Sequence, residues 1–145
     1  MILHANLLLS NAQAITATAV SANVILWPTN GTPCGEAAAI TRNLGAGTPL
    51  PILIQVIEAF AKLTSLTITL ETAADAGLTS GAVVLASSGA IPLATLIAGH
   101  RPTFTRFIPD ATMKDYLGLR YIVGGSNATA GKITAAVGTE VQANG

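Results

Sequence analysis

The chain has 145 residues, enough for one domain that buries a core without disulfide or metal staples. Half of them are hydrophobic and only 10% are charged, with seven basic and seven acidic side chains scattered singly, for a net charge of zero. That distribution excludes a basic stripe for nucleic acid and a polybasic segment for an anionic membrane. So little charge, against about a quarter in ordinary soluble domains, fits a chain that hides surface in an assembly or coats itself with neutral Thr, Ser and Asn. The lone Cys34 closes no intrachain disulfide and reads as a neutral loop residue.

In chain order, residues 1–11 are an apolar lead-in, with Leu7, Leu8 and Leu9 as a run without clear period. It lacks a leading Lys or Arg and is interrupted by His4, Asn6, Ser10 and Asn11, which fails the signal-peptide pattern. It reads as an edge strand or as an arm that docks elsewhere. Residues 14–21 (AITATAVS) alternate as a strand, and 23–27 form a second short one stopped by Pro28. Residues 28–49 hold three prolines and four glycines and predict a long loop, with one or two helical turns over 36–42. Trp27 sits at its base, as a core anchor or as a contact residue.

Residues 50–60 (LPILIQVIEAF) predict a buried strand. Residues 66–72 (LTITLET) alternate cleanly, with Leu66, Ile68 and Leu70 facing in and Thr67, Thr69 and Glu71 facing out. No charge occurs between Asp75 and His100. The breaks at Ser87-Ser88-Gly89 and Pro92 predict short strands over 83–86, 91–93 and 95–98 rather than a membrane-spanning helix. Residues 103–108 (TFTRFI) form a further strand. The best strand is 114–125 (KDYLGLRYIVGG), apolar on both faces and so expected at a sheet centre. Its Arg120 is expected to pair with a cross-strand acid inside the domain, in preference to a neighbouring subunit. A last strand over 132–142 faces Ile133, Ala135, Val137 and Val141 to one side. About eight short strands with turn signals roughly every ten residues predict an all-β antiparallel sandwich or barrel.

No catalytic constellation stands out. His4 and His100 lack partners at metal-ligand spacing, and the carboxylates are isolated, Asp110 and Asp115 flanking a turn. Asp75 lies in a segment without a calcium-loop pattern. The loop 124–132 (GGSNATAGK) imitates a phosphate-binding loop. It has Ser126 where the first Gly belongs and Ile133 where Ser or Thr belongs, and its Lys132 opens a strand rather than a helix. Asn127-Ala128-Thr129 matches a glycosylation acceptor by accident. No cofactor is expected, and the chain reads as a binding protein rather than an enzyme.

Several segments together carry a resemblance. Residues 1–19, 65–73 (SLTITLETA), 85–101 (LASSGAIPLATLIAGHR), 116–125 (YLGLRYIVGG) and 129–137 (TAGKITAAV) resemble, in order and spacing, the tailed-bacteriophage capsid cement (decoration) proteins of the Bordetella phage type. The resemblance implies a jelly-roll-like antiparallel β-sandwich on the outer surface of an icosahedral head. There it would bridge major capsid protein subunits and associate with itself, a homodimer being favoured over a trimer. Residues 28–41 look like an insertion, so their contacts do not carry over. The alternative is a carbohydrate-binding jelly roll of a head fibre or tail, for which Trp27 and two tyrosines supply few stacking rings. A hydrolase would require a clustered His or acid pair. The residues expected to make contact are Ile2, Leu3 and Leu7 of the arm (about 1–11), and Trp27 and Arg42 of the loop (about 28–49). Deleting residues 1–9 is expected to weaken capsid attachment and leave the sandwich folded.

Overall fold

The computed structural model describes residues 4–26, 32–39, 50–102 and 113–138. Among them are eight strands in two antiparallel sheets. One sheet has three strands in the order β1 (Leu8–Ala14), β8 (Ala130–Val137), β4 (Ile52–Ala61). The other has five: β2 (Ala19–Val20) and β3 (Ile25–Leu26) both pair with β7 (Tyr116–Gly124), which pairs with β5 (Ser65–Ala73), which pairs with β6 (Val83–Pro92). The outer edge of β4 is continued by an extended connector. The Val56 N–H donates to the His100 carbonyl (2.9 Å), the Gly99 N–H to the Val56 carbonyl (2.8 Å) and the Phe60 N–H to the Leu96 carbonyl (3.0 Å). Pairing is therefore nested: first strand with last, second with second-last, β4 with the connector, β5 with β6. This is a hairpin rolled into two sheets, the jelly-roll arrangement that the sequence led us to expect.

The core lies between the sheets. Leu9, Ile15, Val56, Leu66, Ile68, Leu117, Leu119, Tyr121 and Ile133 are fully buried there. Strand β7 is central, as its two-sided apolar pattern requires. It runs beside β5 in unbroken register from Ser65↔Gly124 to Ala73↔Tyr116. Gly118 is needed on its outer face: a Cβ there would stand 2.8 Å from Val24 Cγ1 and 3.0 Å from Leu78 Cδ1.

Several expectations are corrected. Residues 14–21 are not one strand. The chain leaves the first sheet at Ala14, turns a corner at 15–18 and enters the second sheet at Ala19. The corner is held from both sheets: the Ile15 N–H donates to the Gly131 carbonyl of β8 (3.1 Å), and the Val123 N–H of β7 donates to Thr18 Oγ1 (3.0 Å). Of the N-terminal arm, residues 8–11 belong to β1, which pairs with β8, and Leu9 is fully buried. Deleting residues 1–9 therefore removes core, and the truncated sandwich is not expected to stay intact.

The outward face of β5 is not solvated. Thr69 and Glu71 are 5% and 4% exposed; they bond each other, and Arg120 pairs with Glu71 while donating to the Leu78 carbonyl of loop 74–82. Ser87-Ser88-Gly89 is not a turn but a bulge within one ten-residue strand, β6. Thr67 pairs with Ala90 and Thr69 with Ser87, so two residues oppose Ile68, whose N–H donates to Ser88 Oγ (3.0 Å). Residues 95–98 form no strand; a 3-10 turn, Leu93–Thr95, leads into the connector beside β4. Residues 36–39 carry no helical turn. The strand expected over 103–108 and the end of the last one lie outside the described residues. No helix of the described residues is long and apolar enough to cross a membrane.

Candidate docking surface

Two uncharged segments converge beside the β1 end of the sandwich. At the first, the His4 carbonyl accepts the Leu7 N–H (2.9 Å), closing the 3-10 turn Ala5–Leu7, and His4 Nδ1 accepts the Asn6 N–H (3.2 Å). The half-buried Leu7 packs against the edge of the core, as does Ile25 from the second segment. Asn23 joins the two. Its N–H donates to the Leu9 carbonyl (2.9 Å) and its Nδ2 to the Leu8 carbonyl (3.1 Å). Ser21 ties the same stretch to β7: its N–H donates to the Leu119 carbonyl (2.8 Å), and its Oγ accepts the Leu119 N–H (3.1 Å) and donates to the Asn23 carbonyl (2.8 Å). Between residues 5–7 and 23–26 lies a groove of about 490 Å³ with no charged residue in its lining. Leu26 stands at its rim, 56% exposed.

Behind the groove a buried polar chain crosses the sandwich. The Tyr121 hydroxyl reaches from β7 to Ser10 Oγ on β1 (2.8 Å), and Ser10 Oγ donates to Gln13 Oε1 (2.7 Å). Gln13 Oε1 also accepts the Ala22 N–H (2.7 Å), and its Nε2 donates to the Val20 carbonyl (2.9 Å). Tyr121 and Ser10 are both fully buried. Burial disfavours the phenolate and pushes the Tyr121 hydroxyl up to about 12. With its ring in the core, Tyr121 is not a stacking platform for sugar.

Of the residues singled out from the sequence, Leu7 lies on the groove. Ile2, Leu3, Trp27 and Arg42 lie outside the described residues. Sequence reasoning missed Val24, Ile25 and Leu26 as lining. They read only as a short strand, and nothing in their pattern says that the opposite wall is a turn near the N-terminus.

The remaining candidates resolve into structural contacts. Arg120 Nε bonds Glu71 Oε2 at 2.9 Å and Oε1 at 3.2 Å, the internal pairing expected of it. Glu71 Oε1 also accepts the Thr69 hydroxyl (2.7 Å). Lys132 lies within β8 and pairs with Glu58 (2.6 Å), both side chains 45% exposed, so 124–132 does not open a helix as a phosphate loop would. Among the described residues no group of three or more His, Cys, Asp or Glu is placed to hold a metal ion.

The family model Bbp16 matches residues 9–137, nearly the whole described domain; the name is that of a Bordetella phage protein, in agreement with the resemblance read from the sequence. No curated protein matches the chain.

Proposed function

Because the chain belongs to the Bbp16 family, a phage-associated family, we propose that it is a capsid cement protein. In this reading it binds the outer surface of an icosahedral head, bridges major capsid protein subunits and stabilises the shell, with a structural rather than catalytic role. The family match over residues 9–137 carries the reading. The low charge and the uncharged groove between residues 5–7 and 23–26 support it. A groove without charge favours an apolar, uncharged segment of a shell subunit, since a charged one would lose hydration there without a partner.

Adhesion would be multivalent. One copy touching two or more shell subunits makes its later contacts intramolecular, which raises avidity without tight individual sites. Association of copies across a two-fold axis would be self-complementary. Electron microscopy of the native particle tests the proposal: the domain is expected on the outside of the shell in icosahedral copy number, and its absence there overturns the reading.

A further inference from the structure

Loop 74–82 lies on the outer face of the five-stranded sheet in a shape that leucine disfavours. Leu78 has a left-handed backbone (φ +52°), yet it is fully buried against Gly118. Such a conformation costs a non-glycine residue free energy that its surroundings must offset. Here the Asp75 carboxylate closes the turn around it. Oδ1 accepts the Thr79 N–H (3.0 Å) and the Ser80 N–H (2.5 Å), and Oδ2 accepts the Thr79 hydroxyl (2.9 Å). Two backbone bonds complete the turn: the Leu78 N–H to the Asp75 carbonyl (3.1 Å) and the Ala74 N–H to the Ser80 carbonyl (3.3 Å). From β7, Arg120 Nη2 donates to the Leu78 carbonyl, and from the segment that leads into β7, Lys114 Nζ donates to the Gly81 carbonyl.

We infer that loop 74–82 is an acid-released flap: protonation of Asp75 opens its turn, Leu78 relaxes, and the loop lifts from Gly118 and the Glu71–Arg120 pair. Asp75 is the only charged side chain in the loop. The charged groups that meet the loop's side of the sheet are Arg120 and Glu71, already paired, and Lys114 just before β7. Acid leaves both cations charged, so the change falls on carboxylates alone. A protonated Asp75 loses acceptor strength toward three donors at once. Those donors, the Ser80 N–H foremost, hold the Asp75 carboxyl below its ordinary 3.8. The flap is thus closed at neutral pH and opens only as pH falls below that value. Val24, which lines the docking groove, and Leu78 of the flap both pack over Gly118.

Amide hydrogen exchange on the full chain tests this, with each rate divided by its intrinsic rate at the same pH. Between about pH 5 and about pH 2.5, protection at Thr79 and Ser80 is expected to fall about tenfold or more, while Ile68 and Tyr121 keep theirs. Asp75→Asn is expected to show the low protection already at neutral pH, without further response to acid. Glu71→Gln is expected to keep the acid response. The inference is overturned by flat protection in the wild type, by an Asp75→Asn profile like the wild type, by loss of the response in Glu71→Gln, or by Ile68 and Tyr121 losing protection together with the loop.

Discussion

Replacing Ser10 by Ala removes the middle of the polar chain that joins the two sheets. The Tyr121 hydroxyl, fully buried, then has no partner at its former 2.8 Å contact. A buried polar group left unsatisfied costs about 1–3 kcal/mol. Tyr121→Phe removes the hydroxyl itself, and Ser10 still donates to Gln13 Oε1 at 2.7 Å. That loss is an ordinary net hydrogen bond of about 0.5–1.5 kcal/mol. Ser10→Ala is therefore expected to be the costlier single change although each variant deletes one hydroxyl oxygen, and the double variant is expected to cost less than the sum. Urea denaturation measures all three, with unchanged m-values licensing the comparison.

The same site has an alkaline signature. Tyr121 sits near 10.0 when unfolded and near 12 when folded, so folding favours the neutral phenol. Its contribution is fully present below pH 10 and is lost as pH rises through about 12. The wild type is expected to lose stability over that window relative to Tyr121→Phe, by an upper bound on the order of 3 kcal/mol. The reasoning is refuted if Ser10→Ala costs no more than Tyr121→Phe, or if the two proteins share one alkaline profile.

Two further outcomes are expected. Arg120→Met leaves the Glu71 carboxylate, 5% exposed, with only the Thr69 hydroxyl. Because the arginine itself is 25% exposed, solvent screens part of the effect, and about 2–3 kcal/mol is expected in place of the roughly 3–5 kcal/mol of a fully buried pair. Adding Glu71→Gln should recover part of it in the same denaturation assay. Deleting residues 1–9 removes the fully buried Leu9 and the Leu8↔Ala136 pairing, so the melting temperature is expected to fall sharply. Deleting residues 1–3 leaves β1 whole; its melting temperature is expected to stay near the wild type, and capsid co-sedimentation then reads the contribution of Ile2 and Leu3 to attachment.

Local pattern in the sequence determined the all-β class, the central place of β7 and most core positions. Alternation over 66–72 and 116–124 states which side chains share a face, and a strand apolar on both sides has to be covered on both sides. The internal pairing of Arg120 was legible for the same reason, because an arginine in such a strand needs an acid nearby. Pattern does not state what lies over a face or which strand stands beside which.

Those matters only the tertiary structure decided. Thr69 and Glu71 read as solvent-facing, yet both are buried: they bond each other, and Arg120 of β7 closes on Glu71, a cross-strand contact that leaves no trace in their own alternation. Ser87-Ser88-Gly89 carries the residues of a turn, but pairing with β5 on both sides makes it a bulge. Residues 14–21 alternate throughout, although the chain changes sheets in their midst. The groove between residues 5–7 and 23–26 exists because β1 and β7 fix two separate segments a side chain's reach apart. Side-chain periodicity is local and reports a face; register, corners and grooves depend on contacts between residues far apart in the chain.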